Sequence, residues 1–144
     1  MTRRESALSS YVIREIRPPS RKDLNGDLEW VARSLGFVEA RDRGKSAMKI
    51  FRVLVERAGR GTGTGLASEQ ISNHVDLSRG AVVAHLNRMM ASGLAIRREN
   101  KYELRVRSVE QTINEIEKDI SRVLHNVREI AREVDGRMGL RYRR

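Results

Sequence analysis

No cysteine occurs in the chain. Disulfides, thiolate metal sites and cysteine nucleophiles are excluded together, and the absence suits an intracellular protein. No apolar run approaches the roughly 20 residues that a membrane-spanning helix needs. The N-terminal Met1-Thr2-Arg3-Arg4-Glu5 leads into no apolar segment of the kind a secretory signal carries, so a cytoplasmic location is expected. The three histidines, His74, His85 and His125, are scattered and offer no metal-ligand spacing. The glycine-rich stretch 59–65 lacks the lysine and spacing of a phosphate-binding loop, and no strand is predicted before it, so it reads as a flexible connection. No paired carboxylates or nucleophile–base arrangement stand out. Neither an enzyme nor a cofactor is expected.

What the chain does have is arginine. Its 144 residues leave room for one compact domain with one or two extra helices. They carry a net charge of +10, and 24 of the 29 basic residues are arginine. Guanidinium groups pair bidentately with phosphate and with guanine, which suits a nucleic-acid partner; a GC-rich coding bias is the alternative origin. The charge is also unevenly placed. Residues 108–135 hold four bases and seven acids, a net of −3, which leaves +13 for the remainder. A binding part and a non-binding part are already distinguishable.

Residues 1–22 carry six bases, two acids and the breaker Pro18-Pro19. They read mostly as a mobile basic arm, with Tyr11, Val12, Ile13 and Ile16 as the one apolar cluster able to dock. In the next stretch, 23–44, Asp23 or Asn25 caps a short helix with Leu24, Leu28, Val31 and Leu35 on one face, Trp30 packing beside them and Gly36 as the stop. A polar link, 39–44, follows. Ser46 is the expected cap of a helix that aligns Ala47, Ile50, Phe51, Leu54 and Ala58. Residues 68–75 predict a short helix with Ile71 and Val75 inward, followed by an Asp76-Leu77 turn. Ser78 then caps a helix over 79–92, and Gly93 favours the left-handed stop. Residues 94–98 and 101–105 read as strands of a hairpin around Glu99-Asn100.

This order resembles the winged helix-turn-helix regulators of the arsenic-repressor-like superfamily, of archaeal or bacterial type. The resemblance covers residues 47–105. It is carried mainly by Leu77-Ser78-Arg79-Gly80-Ala81-Val82-Val83-Ala84-His85-Leu86 and by Ser92-Gly93-Leu94. Members typically show a capping serine, a small residue, a valine and a His-Leu pair, then Gly-Leu where the chain enters the wing. The chain departs from the pattern at Asp76, where glycine is usual but aspartate can also adopt the left-handed conformation, so the turn is expected to survive. It departs again at Ala67, where a threonine cap is usual and Ser68 is the alternative cap. Metalloid sensing through cysteines is excluded.

The resemblance implies a winged helix-turn-helix domain over 45–107 that binds double-stranded DNA. Its second helix would lie in the major groove, with Arg79, Gly80, Val83, Ala84 and Asn87 facing the bases. Arg79 would grip guanine, Asn87 would pair with adenine, and Val83 or Ala84 would meet a thymine methyl. Phosphates would be met by Ser78 at the helix N-terminus, by His85 and Arg88, and by Arg97, Arg98, Lys101 and Arg105 of the wing. For His85 in particular, packing or a helix-end hydrogen bond is the competing reading. The arm, through Arg3, Arg4 and Arg17, would enter a minor groove or simply solubilise the chain.

The most regular pattern lies at the C-terminus. Val106, Val109, Ile113, Ile116, Ile120, Val123, Val127, Ile130 and Val134 recur at alternating intervals of 3 and 4. The expected helix spans 108–135, is about 40 Å long, ends at Gly136, and precedes a loose basic tail over 136–144. The stripe from Val109 to Val134 is expected to make a homodimer, with a stripe packed wholly within its own chain as the alternative. β-Branched residues at both heptad positions disfavour a simple parallel two-stranded coil, and Leu124 and Ala131 widen the face, so more than one neighbour is expected, including the helix at 24–35. The fold class is thus mainly α with a small β-wing and a long coiled-coil-like dimerisation helix. The expected function is a homodimeric, nucleoid-associated transcriptional regulator, a repressor sooner than an activator because no activating module is visible. An architectural DNA-binding protein and a protein-interaction module of a larger assembly are the alternatives. No small-molecule effector is indicated.

Overall fold

A computed structural model describes residues 8–20, 23–38, 45–61 and 63–140. The expectations for Arg3 and Arg4, for the 39–44 link and for residues 141–144 lie outside them. The described residues are mainly helical, with a small three-stranded antiparallel sheet and a long C-terminal helix.

Helix α1, Leu24–Ser34, begins where Asp23 accepts the Gly26 amide at 2.7 Å. Its inward face is Leu28, Val31, Ala32 and Leu35, while Leu24, expected on that face, is exposed. Helix α2, Ser46–Ala58, buries Ala47, Ile50, Phe51 and Leu54 at helical spacing. Its expected cap, Ser46, is instead the first helical residue. Lys45 holds the cap position in left-handed backbone with no side-chain hydrogen bond. Packing therefore starts this helix: Phe51 meets Phe37 edge to face, with ring centroids 5.1 Å apart.

Strand β1, Leu66–Ala67, runs directly into α3, Ser68–Val75, and a three-residue turn leads to α4, Arg79–Ala91. Asp76 takes the left-handed conformation expected of it, with φ 55°. Ser72 Oγ closes the turn by donating to the Leu77 carbonyl. Ala67, not Ser68, occupies the α3 cap. Alanine has no acceptor, so only half of a reciprocal cap forms, the Ala67 amide donating to Gln70 Oε1 at 2.9 Å. Ser78 caps α4 as expected, accepting from the Ala81 amide at 3.1 Å. Val82, Leu86 and Met89 are fully buried. At its end Gly93, with φ 81°, and Leu94 return their amides to Met90 and Met89, closing the orphan carbonyls.

Strands β2, Ala95–Arg98, and β3, Lys101–Leu104, form the expected hairpin. Glu99 and Asn100 both have positive φ, which matches the twist of a two-residue connection. Strand β1 joins the other edge of β3, pairing Leu66 with Tyr102, so the sheet order is β1-β3-β2. This pairing was not legible in the sequence, because two residues display no alternation. Gly65 permits it: a Cβ there would stand 3.1 Å from Lys101 Cβ and 3.2 Å from the Tyr102 carbonyl oxygen. The preceding glycine-rich loop is also fastened where it is described. Thr64 Oγ1 donates to the Arg57 carbonyl at 2.8 Å, and Arg57 Nε donates to the Thr64 carbonyl at 2.9 Å.

Helix α5, Val109–Met138, is capped by Ser108, which accepts from the Gln111 amide. It passes through Gly136 and ends at Gly139. An interior glycine costs only about 1 kcal/mol, and Gly139 supplies a left-handed cap that Gly136, here helical, does not. The start of the tail therefore belongs to the helix. The apolar stripe divides. Ile116 is buried in the chain's own core, and Val109, Ile113 and Ile120 pack against it. Those four residues, expected at a dimer contact, are used within the chain. Val123, Val127, Ile130 and Val134 remain exposed.

Asp119 joins three parts of the molecule. Only 5% exposed, it accepts both terminal nitrogens of Arg105 and Arg122 Nη1 at 3.2 Å, and the Tyr11 hydroxyl also favours its charged form. Tyr11 belongs to residues 8–20, which are docked where a mobile arm was expected. The Ser10 amide donates to the Ala91 carbonyl at 2.9 Å, and the Arg14 amide to the Ser34 carbonyl at 2.8 Å. Trp30 also fastens this segment, its ring N–H shared between the Ile16 and Arg17 carbonyls.

The Arg105 hydrogen bonds, with those of Tyr11 and Arg122, outweigh burial and lower the Asp119 pKa from 3.8 to about 2. A carboxylate whose folded pKa is depressed stabilises the fold above its unfolded value, and the contribution disappears as pH falls through the folded value. Asp119→Asn is therefore expected to cost about 2 kcal/mol at neutral pH. In urea unfolding series, the parent should lose this increment between about pH 4 and pH 2, and the variant should lack that part of the acid limb.

Candidate functional site

The outward face of α4 is defined by what its inward face buries. With Val82, Leu86 and Met89 in the core, a helical step of about 100° per residue places Gly80, Ala84 and Asn87 at the centre of the opposite face. All three are exposed. No atom lies within 4 Å of the place a Gly80 Cβ would occupy. Small residues thus let another surface approach the helix backbone closely, with Asn87 as the one polar group at the centre.

Arg79 and Val83 border this face on the side of the hairpin. Arg79 Nε donates to Ser68 Oγ at 3.3 Å, which anchors the guanidinium and leaves its two terminal nitrogens without a partner among the described residues. Both residues line a cleft shared with Ser68, Glu69, Arg97 and Asn100. Arg97 is held across that cleft from two directions. Its Nη2 donates to Asn100 Oδ1, and its guanidinium carbon lies 5.6 Å from the centre of the Tyr102 ring. The start of α4 and the tip of the hairpin therefore present two positioned guanidinium groups to one cleft.

On its other border α4 carries Arg88 and His85. Arg88 Nη2 donates to His85 Nδ1 at 2.6 Å, so these expected phosphate ligands engage each other. Arg88 also lines a separate pocket with Ser10, Val12 and Phe37, away from the cleft of Arg79. Ser78 Oγ accepts from the Ala81 amide and keeps its hydroxyl proton to donate, beside the anion-attracting N-terminus of α4.

The remaining hairpin bases differ in their freedom. Lys101 is exposed and has no side-chain partner among the described residues. Arg98 is exposed and stands 3.5 Å from Glu103, a separation that holds it weakly in water. Arg105 is different: the expected phosphate contact is instead a structural group. Its two terminal nitrogens bind Asp119, and Nη1 also reaches the Gly93 carbonyl at 3.4 Å. That ion pair raises the Arg105 pKa further above its ordinary range.

Three positioning residues were not anticipated. The sequence marks Ser68 only as a cap, Asn100 only as a turn residue and Tyr102 only as part of a strand. Their contacts to Arg79 and Arg97 join parts of the chain that sequence spacing does not connect. Arg107, exposed beyond β3, was also missed; it lines a further cleft with Arg98. Its signal was its place in the basic run 97–107. Among the described residues no helix is long and apolar enough to cross a membrane. No protein-family model matches the chain, and neither a curated protein nor a solved structure matches it.

Proposed function

We propose that the protein binds double-stranded DNA as a winged helix-turn-helix of the arsenic-repressor-like type, acting as a homodimeric transcriptional regulator. In this reading α3 and α4 form the helix-turn-helix and the β2–β3 hairpin is the wing. The observation that carries it is the surface made by α4 and the hairpin. A central strip of Gly80, Ala84 and Asn87 is bordered by Arg79, which shares a cleft with Arg97.

The chemistry of each group follows from its position. A B-form major groove is about 12 Å wide and admits a helix, and the small central residues let α4 sit deep in it. The free terminal nitrogens of Arg79 suit the two acceptors of guanine, and the Asn87 amide suits the donor–acceptor pair of adenine. Val83 and Ala84 offer apolar contact to a thymine methyl. The α4 N-terminus and the bases Arg97, Arg98 and Lys101 suit phosphates, which add affinity without sequence information. Arg105 has no part in this surface, being spent on Asp119. Two hydrogen-bonding side chains make one reading head sparse, so discrimination would come from two heads in a dimer.

The decisive experiment compares binding to selected and random duplexes at one salt concentration. A clear preference for the selected duplex is expected, and equal affinity would replace the regulator with a sequence-tolerant architectural protein. Arg79→Ala and Asn87→Ala should each lower affinity for the selected duplex roughly tenfold or more, since a bidentate base contact is worth about 1–3 kcal/mol. The melting temperature should be unchanged.

Arg97→Ala/Lys101→Ala should weaken both duplexes alike and reduce the slope of log affinity against log salt by about 1.8. Gly80→Ala separates fold from function. With open space around its Cβ, it should leave stability unchanged or raise it by about 0.5 kcal/mol. It should still weaken duplex binding by obstructing close approach, as titrations of parent and variant would reveal.

A further inference from the structure

Beyond Ile120, α5 leaves the body of the molecule. Every residue from 121 to 138 is exposed, yet this segment carries Val123, Leu124, Val127, Ile130, Val134 and Met138, each between 42% and 70% exposed. A groove along it is lined by Asn126, Val127, Ile130, Ala131 and Val134. Helices of this length draw most of their stability from packing an apolar face. We infer that this face takes the same segment of a second copy of the chain, antiparallel, with Val123 opposite the partner's Val134 and Val127 opposite the partner's Ile130.

The flanks of the seam set the orientation. Val123, Val127, Ile130 and Val134 form the seam; Leu124, Ala131 and Met138 lie along one flank, and Asn126 and Glu133 along the other. When two identical helices pair in parallel, each flank meets the opposite flank of its neighbour. Glu133 would then press against Met138 and Asn126 against Ala131, desolvating polar groups beside apolar ones. Antiparallel pairing brings like flanks together: Leu124 faces Ala131, and the Asn126 amide faces the Glu133 carboxylate. The β-branched residues at both seam positions also disfavour a parallel two-stranded coil.

The fold sets the register. Above Ile120 the stripe is used within the chain, so the seam offers four exposed layers. The register stated above engages all four. A slip of one heptad toward the tip leaves Val123 beyond the partner helix's seam, and a slip toward the base drives Val134 against the partner's own buried Ile116. The segment is nearly neutral, with four bases and three acids over 121–138, so two copies meet without the repulsion that the rest of this basic chain would impose. The two Ile120 residues then stand about 26 Å apart along the helix axis, with the two bodies at opposite ends of the pair.

This orientation deepens the homodimer of the proposed function, but its test contains no DNA, so a failure of duplex binding would be read separately. The absence of cysteine allows engineered pairs to report without interference. Val123→Cys and Val134→Cys chains, mixed while reduced and then oxidised, should give a disulfide-linked pair of one chain of each kind. Neither chain alone should cross-link. Like positions would be 11 residues, about 16 Å, apart along the axis, far beyond the roughly 7 Å Cα separation that a disulfide tolerates. Cross-linking of each chain with itself would show a parallel pair and overturn the inference. A dimer by sedimentation that cross-links in no mixture, or a parent that stays monomeric, would overturn it as well. Ile130→Glu should convert the parent dimer to a monomer with an unchanged near-ultraviolet spectrum, since Ile130 touches nothing in its own core; a variant that stays dimeric would count against the seam.

Discussion

Asp119 is a carboxylate almost closed off from water, and the forces that keep it charged also hold the molecule's parts in relation to one another. Burying such a group costs several kcal/mol unless it is fully paired. Here the compensation comes from Arg105 at the exit of β3, from Tyr11 on the N-terminal segment and from Arg122 one turn further along α5. Gly93 closes the arrangement from the end of α4. A Cβ at Gly93 would lie 3.0 Å from Arg105 Nη1 and 3.3 Å from Asp119 Oδ2. The sheet, α4 and α5 therefore meet at one ion pair, and the direction in which α5 leaves the body is set there.

That constraint separates arginines that composition cannot tell apart. Arg105 is half-buried with its terminal nitrogens engaged by Asp119, and Arg88 is turned toward His85. Arg79 and Arg97 are each anchored by a neighbouring polar or aromatic side chain while keeping their guanidinium groups at a shared cleft. Net charge describes how strongly the chain attracts an anionic polymer at a distance. Which groups meet that polymer depends on which are already consumed by internal pairing. The outer part of α5, with four bases and three acids over 121–138, carries little of the charge found in the rest of the chain.

Much of the architecture was legible where a short stretch contains its own explanation. The Ser78 cap, the Gly93 stop, the left-handed Asp76 and the hairpin around Glu99-Asn100 each rest on groups within a few residues of one another. The inward faces of α2, α3 and α4 followed from helical periodicity. Other features were not legible, because their partners are distant in the chain. Strand β1 exists because β3 offers an edge and Gly65 lets the backbone approach it. Residues 8–20 are held by the carbonyls of Ser34 and Ala91 and by the Trp30 ring. The start of α2 carries no cap signal because packing replaces the cap.

The C-terminal stripe shows the same boundary most clearly. Its alternating spacing determined, from sequence alone, that a long helix would carry one continuous apolar face. Spacing is a property of a single helix and does not say what lies opposite. The tertiary structure decided that, by placing Thr112, Ile116 and Asp119 against the body and leaving the residues beyond Ile120 in the open. The physical reason is that periodicity is local, while burial depends on where the rest of the chain ends; here it ends at the ion pair of Arg105 and Asp119.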